Sequence, residues 1–398
     1  IVSPAWQGRV DMLPKITSAM LIVTHACNLA CRYCFVHQEP SRMTYDTAKR
    51  AAQFLLDNAE GTNDIPSINF FGGEPLLMWD SIIKPLTLWL REEVKKPFEL
   101  SMTSNGILLD DKKIDFMKQH GIGLLFSLDG AKATQDYNRP FHDGRGSFDT
   151  LEPKILKILE AWPGMTLRMT AIPPTCEHVF ENIQWGESIG YKNFFVIPNV
   201  FEEWDEEARA ALAGEVRKYG DYYIDCCREG KRPMRFETFE NCWKDIRAIN
   251  LAEEKGEYRA MASCKACGKC GLGASRFASI HPNGNIYGCQ EMTSNEGEES
   301  IFYIGNLDTG VDDARRKALM LEYDRKGVAG ENCAECLYDR ICDGGCVANN
   351  YLATGSLNEM PSMYCQWRQI ILAEAMRVMQ VLGGEKNEAF KRIWEGKA

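Results

Sequence analysis

Cys27-Asn28-Leu29-Ala30-Cys31-Arg32-Tyr33-Cys34 is the stretch on which the reading of the chain turns. Before it runs Ala19-Met20-Leu21-Ile22-Val23-Thr24, an apolar run of buried-strand length. After it come Phe35 and a polar loop. Three thiols at offsets of four and three residues, in a loop leaving a strand, fit three irons of one [4Fe–4S] cube. The fourth iron then has no protein ligand and stands open to a small molecule. Zinc is a poorer match, because it takes four ligands, often as paired C-x2-C knuckles. Free thiols packed as small hydrophobes would not require this spacing.

The loop resembles the defining motif of the radical SAM superfamily, C-x3-C-x-aromatic-C, with Tyr33 in the aromatic slot. The resemblance implies that Cys27, Cys31 and Cys34 hold the radical-generating cluster. It also implies that the open iron chelates the amino and carboxylate groups of S-adenosylmethionine, and that one electron then releases a 5′-deoxyadenosyl radical.

A chain of 398 residues with 45% hydrophobic content suits one large and one small domain. Its 46 Lys and Arg stand against 56 Asp and Glu, a net charge of −10. That argues against nucleic acid as a partner, since phosphate contacts need clustered cations. No apolar run approaches the roughly 18 residues of a membrane helix, and no signal peptide is visible. A cytoplasmic protein without a membrane partner is expected, and there 16 cysteines point to metal rather than disulfides. Three of them sit near residue 30 and nine lie between 264 and 365. Cys176, Cys226, Cys227 and Cys242 read as ordinary thiols.

From Ala19 to Pro198 strand-like runs alternate with helical stripes. The strands are expected at 19–24, Ser67–Phe71, Glu99–Thr103, Gly123–Leu128, Thr166–Ile172 and Asn193–Ile197. Helices are marked by Ala48, Ala52 and Leu55; by Leu86, Leu90 and Val94; by Ile114 and Met117; by Ile155, Leu159 and Trp162; and by Val179 and Ile183. Six βα repeats predict an α/β fold with a parallel sheet, too short to close an eight-fold barrel. The expectation is a partial (βα)6 TIM-like barrel with active groups at the C-terminal strand ends. A lead-in over 1–18 precedes the barrel at 19–204. A helical bridge with an aromatic surplus follows at 205–262, with Trp204, Phe236, Phe239 and Trp243 expected in the core.

The second strand runs into Gly72-Gly73-Glu74. The glycines allow close backbone approach to a ligand, and Glu74 can accept from an ammonium group. In this position the triplet is similar to the superfamily's GGE motif, which implies that Glu74 holds the amino group of the cofactor. The same resemblance implies ribose or carboxylate contacts for Ser104 and Asn105 after the third strand, and for Ser127 and Asp129 after the fourth. Arg168, a charge within the fifth strand, needs a partner. A cofactor carboxylate and a structural salt bridge are both open.

Downstream, Cys264, Cys267 and Cys270 form C-x2-C-x2-C, and a hairpin with Asn283-Gly284 at its turn ends in Cys289. Cys333-x2-Cys336-x5-Cys342-x3-Cys346 and Cys365 follow. So many thiols favour iron–sulfur chemistry over zinc. The pattern resembles the SPASM extension of radical SAM enzymes, here at 263–366, with C-terminal helices at 367–398. The resemblance implies two auxiliary [4Fe–4S] clusters, for three in all. Cys264, Cys270, Cys289 and Cys346 would hold the inner one. Cys333, Cys336, Cys342 and Cys365 would hold the outer one, and Cys267 could replace Cys264.

SPASM proteins are mostly maturases that abstract hydrogen from a ribosomal peptide or protein. The resemblance therefore implies a radical SAM peptide maturase forming a thioether or another side-chain crosslink. Its partners would be a precursor peptide and an electron donor such as flavodoxin or ferredoxin. Residues 1–18 are too short for a winged-helix leader-binding domain, so a separate leader-recognition protein and leader contacts on the SPASM face are both open. The alternative is an anaerobic sulfatase maturase making formylglycine. That family places an Asp directly after the hairpin cysteine, whereas this chain has Gln290, with Glu291 or Asp308 as substitutes. A non-enzymatic iron–sulfur carrier or zinc-stabilised binding module fits the open-iron spacing less well.

Overall fold

The computed structural model describes residues 13–255, 275–291, 297–323, 333–342 and 344–396. Strands β1 (Ser18–Thr24), β2 (Ser67–Gly72), β3 (Glu99–Ser104) and β4 (Ile122–Phe126) pair in chain order, all parallel. Strands β5 (Thr166–Ala171), β6 (Asn193–Pro198) and β7 (Arg235–Phe236) form a second parallel group. A parallel bridge between Ser127 and Arg168 joins β4 to β5. The six expected strands are thus present within one or two residues, as an open barrel wall.

Helices cover the wall for the reason their stripes suggest. In Tyr45–Ala59 the buried face is Ala48, Ala51, Ala52, Leu55, Leu56 and Ala59, four alanines and two leucines on one stripe. Thr44 caps its N-terminus by accepting from Thr47 N–H. The stripe of Leu86, Leu90 and Val94 is not one regular helix. It runs as a π-helical turn at Trp79–Ile83, an α-helix at Lys84–Leu88 and a second π-helical turn at Trp89–Val94. Pro85 donates no N–H into that ladder.

The C-terminal hairpin does not stand apart from the barrel. Strand β8 (Phe277–Ile280) lies parallel against the free edge of β1. Strands β9 (Asn285–Tyr287), β10 (Tyr303–Asn306) and β11 (Gly310–Val311) then extend the same sheet antiparallel. The β8–β9 connection is not a two-residue turn. His281 and Asn285 pair through their backbones, and Gly284 takes φ +86°, a left-handed position that suits glycine. Covering β1 removes an exposed edge of the barrel sheet. The other edge is closed by β7 and by the helices Glu206–Arg228, Glu237–Glu254 and Ser362–Gly384. Between them pack Tyr219, Phe236, Phe239 and Trp243, all 2% exposed or less. Trp243 Nε1 donates to Ala375 O at 2.9 Å. Among the described residues no helix is long and apolar enough to cross a membrane.

A substitution pair tests how tightly β1 and β2 meet. A Cβ on Gly73 would overlap the backbone carbonyls of His25 and Ala26, whereas Gly214, inside the Glu206–Arg228 helix, has nothing near it. In urea unfolding, Gly73→Ala should cost about 3 kcal/mol. Gly214→Ala should add about 1 kcal/mol of stability. Equal effects would contradict the contact.

Candidate functional site

Cys27, Cys31 and Cys34 line one cavity of about 300 Å3 at the C-terminal strand ends. The loop is clamped onto the segment after the Lys132–Asn138 helix. Ala30 N–H donates to Pro140 O at 2.8 Å and Arg32 N–H to Asn138 O at 3.0 Å, while Leu29 is fully buried. Burial pushes the Cys27 thiol up to about 11 and the Cys31 thiol up to about 12. The Arg139 guanidinium pulls Cys31 and Cys34 partly back. Such thiols stay protonated at neutral pH unless a metal takes the proton's place. Among the described residues no three His, Cys, Asp or Glu side chains gather around a single ion. Three thiols at this spacing lining one cavity fit three irons of a [4Fe–4S] cluster.

Gly72 and Gly73 line the cavity, but their first use is internal. Gly73 N–H donates to Thr24 O at 2.8 Å and Glu74 N–H to Ala26 O at 2.9 Å, so the end of β2 is fastened to the root of the cysteine loop. Side chains at 72 and 73 would collide with those carbonyls. Glu74 is 1% exposed. It accepts from Leu76 N at 3.0 Å, Ser104 Oγ at 2.8 Å and Asn105 N at 2.9 Å. Burial outweighs these donors and raises its carboxyl to about 7. No cation pairs with it among the described residues, so a cationic ligand group is what would complete the site.

Ser104 and Asn105 line the cavity, and their side chains are also bonded within the protein. The Ser104 hydroxyl donates to Glu74 and accepts from Gly106 N–H at 3.0 Å. Asn105 Nδ2 donates to Asn28 Oδ1 at 2.8 Å, and its Oδ1 accepts from Ile107 N–H. Both polar groups are already engaged, so these residues position Glu74 and the cysteine loop. Asp129 is placed differently. It does not line the cavity and is 1% exposed. It accepts from Arg139 Nε at 3.0 Å and Nη2 at 3.1 Å, from Thr170 N at 3.1 Å, from Asn138 Nδ2 at 3.2 Å and from the Tyr33 hydroxyl. No acceptor capacity is left for a ligand.

The group that Asp129 holds is one that sequence reasoning missed. Arg139 lines the cavity with Ser127 and Arg168, its guanidinium 5.2 Å from the centre of the Tyr33 ring. No motif spacing flags an arginine at the end of a short helix; the partner ten residues earlier is brought to it by the fold. Arg168 lies 5.0 Å from the Phe195 ring centre and makes no ion pair among the described residues. Glu237 supplies it a favourable charge at longer range, and Arg168 also lines the cavity.

The C-terminal hairpin contributes Gln290 and Glu291 to the same cavity. Glu291 is raised to about 7 by burial. Asp308 is a surface residue paired with Arg50. Cys289 is buried in a packed cluster that also includes Cys346. Cys333, Cys336, Cys342 and Cys365 line a second pocket together. Burial raises the Cys365 thiol, and the three neighbouring thiols raise it further. Cys264, Cys267 and Cys270 lie outside the described residues.

Asp129→Asn tests the buried network. It leaves the Arg139 charge uncompensated and should cost about 3–5 kcal/mol in urea unfolding. A loss below about 1 kcal/mol would show that Arg139 does not depend on it.

The Radical SAM superfamily is matched over residues 21–185. A serine-type anaerobic sulfatase-maturating enzyme of Klebsiella aerogenes is 25% identical over 369 residues, covering 91% of this chain and 86% of the relative. The radical SAM cyclopropyl synthase TigE of Paramaledivibacter caminithermalis is 26% identical over 386 residues, covering 92% and 75%. Among solved structures, native anSMEcpe with bound AdoMet and Cp18Cys peptide superposes with a TM-score of 0.68 at 19% identity, covering 92% of this chain and 99% of that one. The cysteine loop on β1, the buried glutamate after β2 and the strands and helices between them thus lie within a Radical SAM domain, matched over residues 21–185.

Proposed function

We propose that the chain is a peptide maturase that abstracts hydrogen from a ribosomally made peptide or protein and so installs a thioether or another side-chain crosslink. The observation that carries this reading is the shared cavity. It joins the cysteine loop, Glu74 and Arg168 to Gln290 and Glu291 of the C-terminal hairpin, so a substrate entering there meets residues of both units. The chemistry supplied by the bound cluster and cofactor is reductive cleavage of S-adenosylmethionine to a hydrogen-abstracting radical. The chain's own residues bind and orient. Cys27, Cys31 and Cys34 are assigned to the cluster, Glu74 to the ammonium group, Arg168 and Arg139 to the carboxylate, and Ser127 to the neighbouring polar edge. Tyr33 braces Arg139. Phe35 and Phe71, stacked with ring centres 6.3 Å apart, line the mouth.

Residues 263–366 are assigned to a SPASM unit with two further [4Fe–4S] clusters. Cys333, Cys336, Cys342 and Cys365 are assigned to the outer one, and their shared pocket supports this. Cys289 and Cys346 are assigned to the inner one, with Cys264 or Cys267 and Cys270 completing the set. A flavodoxin or ferredoxin would deliver the electron, and a separate protein would present the leader.

Formylglycine formation is the second reading. The Klebsiella relative favours it, as does the place of Glu291. Gln290 stands where that family has its acid, but Glu291, one residue on, reaches the cavity.

Two outcomes are expected. Glu74→Gln should keep its iron and weaken S-adenosylmethionine binding by roughly 2–4 kcal/mol. The ammonium group needs the ionised carboxylate, whose pKa is raised to about 7. Wild-type affinity should therefore fall as pH drops from about 8 to about 6, and the Gln variant should be flat. A pH-independent wild type would remove Glu74 from the cofactor. For the reaction, a partner peptide should lose two hydrogens and, if a thioether forms, its free thiol. Formylglycine in a sulfatase peptide would select the second reading, and an unaltered peptide in the presence of cofactor cleavage would reject both.

A further inference from the structure

The sulfur of Cys27 sits among amide donors. Leu29 N–H donates to it at 3.4 Å, and Asn105 Nδ2 donates to it at 3.8 Å. Asn105 is 7% exposed and cannot swing away. Its Nδ2 also donates to Asn28 Oδ1 at 2.8 Å, and its Oδ1 accepts from Ile107 N–H at 3.0 Å. The bond to Asn28 fixes that amide too, because its oxygen must face Asn105. Asn28 Nδ2 is then buried without a hydrogen-bond partner. An orphaned buried donor is costly. In a loop that holds a cluster, a sulfur is the acceptor that would satisfy it. The other two thiols have a different neighbour, the Arg139 guanidinium. Burial opposes negative charge on Cys27, the Leu29 N–H favours it, and the Glu74 carboxylate opposes it again.

We propose that Asn28 and Asn105 are positioning residues that set the reduction potential of the radical-generating cluster. Asn105 Nδ2 donates to the Cys27 sulfur, while Asn28 holds Asn105 and leaves its own Nδ2 for a sulfur of the cluster. The inference rests on the assignment of Cys27, Cys31 and Cys34 to that cluster and deepens it. The potential of an iron–sulfur cluster follows its net charge, the hydrogen bonds to its sulfurs and its exposure. Reduction moves one electron from an external donor onto the cluster, from the 2+ to the 1+ state, and no proton follows. The sulfurs then carry more negative charge. On the Cys27 side that charge meets Glu74, which is 1% exposed and must itself be ionised to hold an ammonium group. N–H dipoles aimed at the sulfur offset it. They add no cation that would compete with the ligand for Glu74. Amides therefore serve Cys27, and a guanidinium already neutralised by Asp129 serves Cys31 and Cys34.

The test uses the full chain, reconstituted with iron and sulfide, as wild type and as the N28L, N105L and N28L/N105L variants. Leucine is close to asparagine in size and carries no amide. A redox titration follows the electron paramagnetic resonance signal that changes when S-adenosylmethionine is added, which separates this cluster from any other. Each single variant should keep the iron content of wild type and become harder to reduce. The one-electron equilibrium should move at least about tenfold toward the oxidised cluster, a fall of about 59 mV. The double variant should fall short of the sum of the singles, because Asn28 acts partly by holding Asn105. A packing role alone would lower the urea midpoint and leave the potential in place. Potentials that stay unchanged or rise in both single variants overturn the inference. If one variant loses its cluster, the other decides by the same shift. Loss from both overturns the inference, since the two residues would then hold the cluster rather than tune it. A wild type with no signal that responds to S-adenosylmethionine overturns the cluster assignment itself.

Discussion

Two carboxylates buried beneath the cysteine loop, Glu74 and Asp129, fix the geometry on which the rest of the site depends. Neither can be stable there alone, because a desolvated charge is costly. Each is met in a different way. Asp129 is fully satisfied from within by Arg139, Tyr33, Asn138 and the Thr170 amide. It thereby ties β4, β5, the aromatic residue of the loop and the segment that clamps the loop into one unit. Among the described residues Glu74 receives three donors and no cation. It is held in place and left electrostatically incomplete, a state suited to a residue awaiting a positively charged ligand. One carboxylate builds the site and the other is kept for binding.

The same division runs through the cations. Arg139 belongs to Asp129 yet shows a face to the cavity, whereas Arg168 makes no close ion pair among the described residues, has Glu237 as a charge at longer range and lies against Phe195. With Glu74 and these guanidiniums in one lining, the cavity carries both charges that a zwitterion needs. The union of the C-terminal hairpin with the barrel completes it. Because β8 adds to β1, the strand that launches the cysteine loop, Gln290 and Glu291 are brought to the cavity by sheet hydrogen bonds rather than by a flexible tether. Movement of the hairpin would disturb β1, so the two sets of cysteines are coupled through one strand.

Much of the fold was legible because its signals are local. Strand and helix periods between Ala19 and Pro198 are carried by consecutive residues, and residues from the strand ends expected to bear chemistry line one cavity. The cysteine spacing was equally local, and the thiols assigned to the outer cluster do share one pocket. What was not legible depends on contacts distant in sequence. Arg139 has no motif, and its place comes from a partner across a strand end. Asp129 sits in a strand-end motif that suggests a ligand contact, but burial and four donor groups give it structural work instead. The glycines before Glu74 were read as room for a ligand, although the backbone of β1 fills that room first. The hairpin's pairing with β1 has no sequence signature, because an edge strand looks the same before and after it is covered.

The account stands most directly on the three thiols at the end of β1. The decisive measurement is iron content together with 5′-deoxyadenosine release, made on anaerobically reconstituted protein supplied with dithionite and S-adenosylmethionine. Wild type is compared with a variant in which Cys27, Cys31 and Cys34 are all alanine. The account predicts that the variant folds, loses about four irons and releases no 5′-deoxyadenosine. A variant that keeps the full iron content, or that still cleaves the cofactor, would contradict it.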